Sequence, residues 1–391
     1  MAKVNVPARL EIKLDGRSEF EAPSGPAVYL KEGGSVQYVR VERSLDAPDT
    51  FEFRVNVLRD SQLVAIDEDL EGKSVEIALA IGESPKTVFK GEVCYVEPYF
   101  SGVISESYLG VRGYDHLHRL TRGTNAKTWG DGFKPQDAYS EVASDVIGKS
   151  ASQDPSRTSD SLSPAKVDNT AAKFAYVSQV NVSDYQFLRS LGMDAARPAA
   201  TDSASDPRRV SFRKIDTSSD PVLFICRDKL EGDPAQLANR ARFRLSTVNQ
   251  YKAVVVRGWD PKQKKAIVGT AERAEQSFGG TAGHERTGKA LYGKSSAGRV
   301  YQVTNHPVTS QDEADAVAQA LFNRLAQDFV TGEVTTAGFP DVAPGHLIEM
   351  KGFGKRFGGK YLVVGVIHEV NRFDGYRTHL QVARNSAPDP D

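Results

Sequence analysis

Apolar and polar residues alternate along most of the first third of the chain. In residues 51–57, FEFRVNV, phenylalanine and valine occupy every second position and polar residues stand between them. A period of two predicts a strand with one buried face. The same pattern predicts further strands at 35–44, 74–81, 87–97 and 104–115. Short strands separated by Gly, Asp and Pro predict an antiparallel barrel or sandwich.

The pattern changes in the middle of the chain. Apolar residues at helical spacing over 139–147 predict a helix. Ser183 and Gln186 have the spacing of a capping box, which predicts the start of a second helix. Residues 150–172 and 196–208 are rich in Ser, Asp, Ala and Pro, which predicts exposed loops. The middle region is therefore expected to be a mixed α/β insert.

Strands resume in the last third, broken by one long loop and one helix. Residues 272–299 contain six glycines and few apolar side chains, so we expect a flexible loop that becomes ordered only against a partner. Ser310 and Glu313 form a second capping box, followed by an apolar stripe that predicts a helix over 310–327. Strands are predicted at 210–215, 221–227, 242–258 and between 330 and 384.

Two distant stretches, 72–113 and 345–384, share an order of glycine, strand, turn, glycine-containing strand and closing strand. Gly72 and Gly91 match Gly345 and Gly365 in this comparison. A general likeness between β-meanders is the alternative to a true duplication. A duplication predicts a mainly β chain with two similar antiparallel β-barrels, the second discontinuous, and a mixed α+β insert. The expected domains are a first barrel over 1–115, the insert over 116–241, and a second barrel over 242–391 that includes the glycine-rich loop and the helix.

The composition of the chain excludes some classes of protein. The 391 residues carry 50 Lys and Arg against 51 Asp and Glu, a net charge of −1, which argues against a general nucleic-acid binder. No apolar run is long enough for a membrane helix, and the N-terminus lacks the apolar segment of a signal peptide, so we expect assembly in the cytoplasm. Cys94 and Cys226 lie in strand-like segments and are interpreted as buried structural thiols.

Histidines are the candidate functional residues of the sequence. His116 and His118 end a predicted strand, where positions i and i+2 share a face, so they form a candidate pair of metal ligands. No third ligand is near in sequence, and polar or partly buried histidines are the favoured interpretation. His284, in the glycine-rich loop, has no adjacent nucleophile; His368 and His379 lie in strands where they could face each other across a hairpin, and packing is their favoured role. We therefore predict no catalytic residue, no cofactor and no bound metal.

Several motifs in a fixed order suggest a family. VVVRGWDPKQKKAI at 254–267, the helix-to-strand segment 310–350 and the closing segment 358–385 resemble the phage late control protein D and VgrG hub family. NVSDYQFLRSLG at 181–192 and the segment 113–129 are similar to further parts of that family, whereas 191–207 and 272–299 depart from it. The motif residues are Arg257, Gly258, Trp259, Asp260, Gly345, Gly365, His368, Gly375, Tyr376 and Thr378.

This resemblance implies a non-catalytic baseplate hub of a contractile injection machine, such as a phage tail, a tailocin, a type VI secretion system or an extracellular injection particle. Such a hub is a homotrimer that joins a six-fold inner tube above it to a three-fold spike below it, among other baseplate components. The spike is expected in a separate chain or beyond the sequence given. A tail-associated cell-wall hydrolase and a carbohydrate-binding β module remain the alternatives.

Overall fold

Strands dominate the structure, a computed structural model of the full chain. It describes residues 8–15, 17–21, 28–30, 35–56, 70–81, 84–130, 137–150, 162–170, 173–174, 176–195, 198–202, 204–228, 235–275, 278–283, 285 and 299–387. Most of the predicted flexible loop at 272–299 lies outside these residues. Among the described helices, none has both the length and the apolar character that a membrane crossing needs.

The N-terminal region is a run of antiparallel strands whose alternating residues form one core. Phe51, Phe53 and Val55 are buried and their neighbours are not, as the period of two predicted. The predicted strand at 104–115 begins only at Tyr108, because residues 104–106 form a 3-10 turn. The strands are β1 Ala8–Leu14, β2 Arg17–Glu21, β3 Val28–Leu30, β4 Ser35–Ser44, β5 Thr50–Asn56, β6 Ser74–Ile81, β7 Lys86–Tyr99 and β8 Tyr108–Tyr114.

The middle region contains helices and strands, but the segments predicted as exposed loops, 150–172 and 196–208, contain strands as well. Both members of the predicted capping box bond, since Ser183 Oγ accepts from the Gln186 N–H at 3.2 Å and Gln186 Oε1 accepts from the Ser183 N–H at 3.4 Å. The elements are β9 Asn125–Trp129, β10 Asp137–Ala138, α1 Tyr139–Ser150, β11 Ser163–Val167, β12 Lys173–Phe174, β13 Val177–Val182, α2 Asp184–Ala195, β14 Ala199–Asp202 and β15 Asp206–Phe212.

Six strands of the C-terminal region close into one barrel. Its hydrogen-bonded order is β16, β17, β22, β25, β24, β23 and back to β16. The C-terminal elements are β16 Leu223–Cys226, β17 Gln236–Leu245, β18 Ala253–Asp260, β19 Lys265–Ala271, β20 Thr281–Ala282, β21 Val300–Val303, α3 Gln311–Gln327, β22 Val330–Ala337, β23 Leu347–Lys351, α4 Gly354–Phe357, β24 Gly359–Asn371, β25 Gly375–Arg384 and β26 Ser386–Ala387.

This barrel is mixed rather than antiparallel, which corrects the predicted strand arrangement. The short strand β16 runs parallel to both of its neighbours, β17 and β23. Parallel neighbours need a crossover connection instead of a hairpin. Side-chain periodicity reports which face of a strand is buried and not the direction of its neighbour, so the sequence pattern did not distinguish the two arrangements.

Helix α3 lies outside the barrel. Val317, Ala318 and Phe322 pack onto the small sheet formed by β18, β19 and β21, together with Val254 and Val256. The predicted helix over 310–327 is confirmed, with Ser310 as its N-cap. The single predicted strand over 242–258 is wrong: it is the end of β17 and the start of β18, separated by a turn at 246–252.

The strand β24 joins the barrel to the N-terminal sheet. Residues 359–362 pair with β23, and residues 365–371 pair along the same edge with β4. On its other edge β24 pairs with β25. One continuous sheet of 14 strands results.

The hydrogen bonds of the two halves repeat. Gly72 N donates to Val93 O at 2.8 Å, and Gly345 N donates to Val363 O at the same distance. Both glycines have positive φ, 76° and 88°, which favours glycine at this turn. In return Val93 N bonds to the carbonyl of residue 73, and Val363 N bonds to that of residue 346.

The strand registers repeat as well. A β-bulge follows Val93 in β7 and Val363 in β24. Glu76 pairs with Lys90 in the first half, and Glu349 pairs with Lys360 in the second. The register therefore matches β6, β7, β8, β5 and β4 with β23, β24, β25, β22 and β17.

Candidate functional site

The two candidate metal-ligating histidines do not share a strand face. Residues His116–Thr121 form a 3-10 helix directly after β8. Asp115 starts it, because its side chain accepts a hydrogen bond from Leu117 N at 3.2 Å. With three residues per turn, positions i and i+2 point in different directions. The pairing of His116 with His118 as two ligands on one strand face is therefore wrong.

His118 instead lies beside two side chains of β7. Its Nε2 is 3.0 Å from Glu92 Oε1 and 3.6 Å from Cys94 Sγ. Its Nδ1 lies 2.5 Å from the backbone carbonyl oxygen of Asp115, which fixes the orientation of the ring. The ligand atoms of Glu92, Cys94 and His118 all lie within 4.8 Å of one another, a spacing that a metal ion requires.

Two arginines make this cluster an ion-pair network. Arg119 Nε donates to Glu92 Oε2 at 3.1 Å, and Arg122 donates to Glu92 Oε1 at 3.0 Å. The Arg122 guanidinium also lies 2.8 Å from His118 Nε2. A positive guanidinium beside two of the three potential ligands repels a metal cation. The arrangement favours a salt-bridged structural cluster over a metal centre.

The cluster shifts the pKa values of both charged partners. Burial lowers the pKa of His118, but hydrogen bonds to Cys94, Glu92 and the Asp115 carbonyl outweigh burial and raise this pKa to about 9. Burial raises the pKa of Glu92, but the hydrogen bonds from His118 and Arg119 outweigh it and hold this pKa well below its usual range. At neutral pH the pair is an imidazolium facing a carboxylate.

A groove of about 800 Å³ lies along β7 beside the cluster, and Cys94, Tyr95 and Glu97 contribute to its wall. Glu97 and Glu52 both form salt bridges with Arg112, at 3.4 Å each. One guanidinium therefore holds both carboxylates in an ion-pair network along the groove.

His368 and His379 do not face each other across the β24–β25 hairpin, which corrects the pairing considered from the sequence. The register pairs His368 with Thr378 and His379 with Ile367, so the two imidazoles lie on opposite faces of the sheet. His368 is fully buried, whereas His379 is half-buried. An offset of one residue in the register moves a side chain to the other face.

Three of the family-motif residues form one buried polar network. Tyr376 Oη lies 2.9 Å from His368 Nδ1, and Thr378 Oγ1 lies 3.5 Å from the same nitrogen. Thr378 Oγ1 also accepts a hydrogen bond from Phe339 N at 2.8 Å. Burial lowers the pKa of His368 to about 3, so its ring is neutral. The Tyr376 ring packs into the N-terminal core, so the network connects the two halves of the chain.

The remaining motif residues shape turns and close contacts. Asp260 Oδ1 accepts hydrogen bonds from the backbone N–H groups of residues 262 and 263 and fixes the β18–β19 turn. A Cβ on Gly258 would lie 2.3 Å from Val308 Cγ2, so only glycine permits this approach. Trp259 is 56% exposed and Arg257 is exposed. Gly345 and Gly375 occupy turns, and Gly365 follows the bulge in β24 where pairing with β4 begins.

Sequence reasoning missed the cluster around His118. Cys94 is partly exposed rather than buried, whereas Cys226 is buried as predicted. Glu92 and Cys94 stand two residues apart on a predicted strand, which indicates a shared orientation, but their contact with a residue 24 positions away depends on tertiary structure. His284 lies outside the described residues.

Comparisons with known proteins place the chain in a family. The profile described as the Alg8 N-terminal domain matches residues 66–372, more than half of the chain. The chain belongs to the Alg8 N-terminal domain family. That description names a domain and not an activity. No curated protein matches the sequence.

Solved structures of tail proteins share the fold of this family member. A 43 kDa tail protein of prophage MuSo2 from Shewanella oneidensis is 14% identical, with a TM-score of 0.66 over 98% of this chain and 100% of that one. A tail protein from Neisseria meningitidis is 13% identical, with a TM-score of 0.64 over 97% of each chain. The predicted resemblance to tail proteins is confirmed at the level of the fold.

A third structure is the Escherichia coli c3393 protein, described as a component of the type VI secretion system with structural similarity to the bacteriophage T4 tail proteins gp27 and gp5. It is 11% identical, with a TM-score of 0.53 over 97% of this chain and 79% of that one.

Proposed function

We propose that this chain is a structural, non-catalytic hub subunit in the baseplate of a phage tail-like particle. Three copies form a ring that adapts a six-fold inner tube to a three-fold spike, in contact with other baseplate components. The observation that carries the proposal is the repeated register of the two halves, from the glycine turns at 72 and 345 to the bulges after Val93 and Val363. Three chains with two similar units each present six similar surfaces.

In this proposal the N-terminal sheet is also a barrel, the first of the two along the chain. Pairing runs from β4 through β3, β2, β1, β6, β7 and β8 to β5, and β4 also pairs with β5. The proposed domains are a first barrel over 1–115, an insert over 116–241 that also contributes strand β16, and a second barrel over 242–391. The similarity to full-length tail proteins and to a type VI component supports the setting in a tail-like machine.

The test is the copy number of the chain in purified tail-like particles, measured by quantitative mass spectrometry against the inner tube protein. We expect three copies per particle, together with tube and spike proteins. Absence from the particles, or cleavage of peptidoglycan by the purified chain, would contradict the proposal.

A further inference from the structure

The two halves of the chain already meet through a strand-to-strand contact. Strand β4 runs antiparallel to the second half of β24, from Tyr38 opposite Asn371 to Ser44 opposite Gly365. Leu45 N then donates to Val364 O at 3.1 Å, at the bulge of β24. A salt bridge of 3.8 Å between Arg40 and Glu369 crosses this seam. The seam joins an edge of the N-terminal sheet to an edge of the C-terminal barrel.

The repeated register assigns an equivalent to each side of the seam. In the N-terminal half, Val41 of β4 lies opposite Phe51 of β5, which lies opposite Gly113 of β8. In the C-terminal half, Phe243 of β17 lies opposite Gly332 of β22, which lies opposite Val382 of β25. These two ladders end on the equivalent residues Val93 and Val363. Strand β17 is thus equivalent to β4, and strand β7 to β24.

Both equivalent edges are open within the described part of the chain. One edge of β17 pairs with β22, and the other pairs with β16 only at Gln236 and Leu237. Over 238–245 this second edge has no strand partner among the described residues. Strand β7 pairs with β6 only as far as Glu92, which leaves that edge open over 95–99. An open edge presents unpaired backbone groups to a further strand.

We propose that β17 of one copy pairs with β7 of a second copy in the register by which β4 pairs with β24. The inference rests on the proposed function, because it names the contact that builds the ring. The two edges differ, so each copy pairs through β17 with one neighbour and through β7 with the other. This is the head-to-tail contact that closes a ring. Contacts within and between chains then alternate around six similar units.

The side chains that this register brings together are complementary. Glu97 of one copy lies opposite Arg244 of the next, and Val96 lies opposite Leu245. Glu97 already pairs with Arg112 of its own copy, but its side chain is 58% exposed and Arg244 is exposed, so a salt bridge between copies can form beside that pair. Tyr99, which is 48% exposed, lies opposite Arg242 and offers its ring face to the guanidinium.

The same contact accounts for exposed apolar residues along β7. Tyr95 is 57% exposed, and Phe100, just beyond the strand, is 65% exposed. Apolar residues concentrated on one edge mark an interaction surface. Pro98 lacks an N–H group, so the docked strand makes at most one hydrogen bond fewer, and this residue also limits pairing with unrelated strands.

The test is disulfide trapping between variants with one introduced cysteine each in a Cys94→Ser background, in which the buried Cys226 is the only other thiol. Glu97→Cys is mixed with Arg244→Cys, oxidised mildly and analysed by non-reducing electrophoresis and mass spectrometry of linked peptides. The matched control replaces Arg244→Cys with Arg240→Cys, which lies on the same strand but about 13 Å further along it. Since a disulfide needs Cβ atoms roughly 4 Å apart, we expect the 97–244 product to exceed the control several-fold.

Charge exchange gives a second readout by light scattering. Glu97→Arg or Arg244→Glu alone is expected to raise the concentration for half-assembly on the order of tenfold, and the double variant restores it. Equal cross-linking at 244 and 240 would overturn this contact. If the chain nevertheless forms a trimer, the hub proposal stands without it, whereas a monomer with no specific cross-link contradicts both.

Discussion

Core positions exchange large and small side chains between the two halves of the chain. The register makes Phe51 equivalent to Gly332, and Gly113 equivalent to Val382. A Cβ on Gly113 would lie 2.7 Å from the Phe51 ring, so the large residue and the glycine compensate each other. A second exchange makes Phe89 equivalent to Gly359, and Gly91 equivalent to Tyr361.

These exchanges explain why the sequence located the repeat but not its register. Matching glycine with glycine set Gly91 against Gly365, yet the hydrogen bonds match Gly91 with Tyr361 and Gly365 with Tyr95. Only the turn glycines, Gly72 and Gly345, are equivalent as the sequence comparison proposed. The turn glycines are retained in both halves because their backbone conformation favours glycine. At core positions a large side chain can move to a neighbouring strand as long as the total packed volume is conserved.

Because of His118, the free energy of unfolding is expected to fall as the pH becomes alkaline. Its pKa rises from 6.5 to about 9 in the folded chain, so its contribution is full below pH 6.5 and is lost as pH rises through about 9. His118→Gln should therefore flatten the fall in the free energy of unfolding between these values. The expected difference is on the order of 1 kcal/mol, less than the shift alone implies because solvent reaches the cluster. Denaturant unfolding at several pH values measures it.

His379→Gln is the matched control for this experiment. Burial lowers the pKa of His379, so that ring is already neutral above pH 6.5 and its removal should leave the alkaline limb unchanged. Parallel curves for the wild type and His118→Gln over the same range would show that the imidazolium does not stabilise the fold.

At the scale of elements, the start of α3 was readable from sequence because a cap is local. Ser310 Oγ accepts from Glu313 N at 3.2 Å, and Glu313 Oε2 accepts from Thr309 N at 2.9 Å. Ser310→Ala should lower the free energy of unfolding by about 1 kcal/mol, whereas Ser310→Thr, which keeps the hydroxyl, should cost less. Thermal unfolding compares them, and equal losses in both variants would rule out the cap as the cause.

Elements whose position depends on residues distant in sequence could not be predicted from the local pattern. The alternation in 51–57 and 74–81 gave the strands and their buried faces, but the parallel position of β16 depends on a crossover. The 3-10 helix at His116 begins at a cap by Asp115, a residue that the alternating pattern had included in a strand. The Glu92–His118 contact joins β7 to that helix, and no pattern in the neighbouring sequence predicts it.

At the scale of the molecule, one strand links the repeated halves. Strand β24 pairs with both β25 and β4, and Tyr376 reaches from β25 into the N-terminal core. This seam holds the two similar units in a fixed relation within one chain. In the proposed assembly the seam is repeated between chains, which gives a ring of six similar units from three copies.

A cryo-electron microscopy map of the purified assembly tests the hub proposal most directly. We expect three copies around one axis, with the sheet of β5–β8 and the barrel of β22–β25 alternating at the same radius around a central channel. A monomer, a two-fold dimer, or a ring in which these two units lie at different radii would contradict the account.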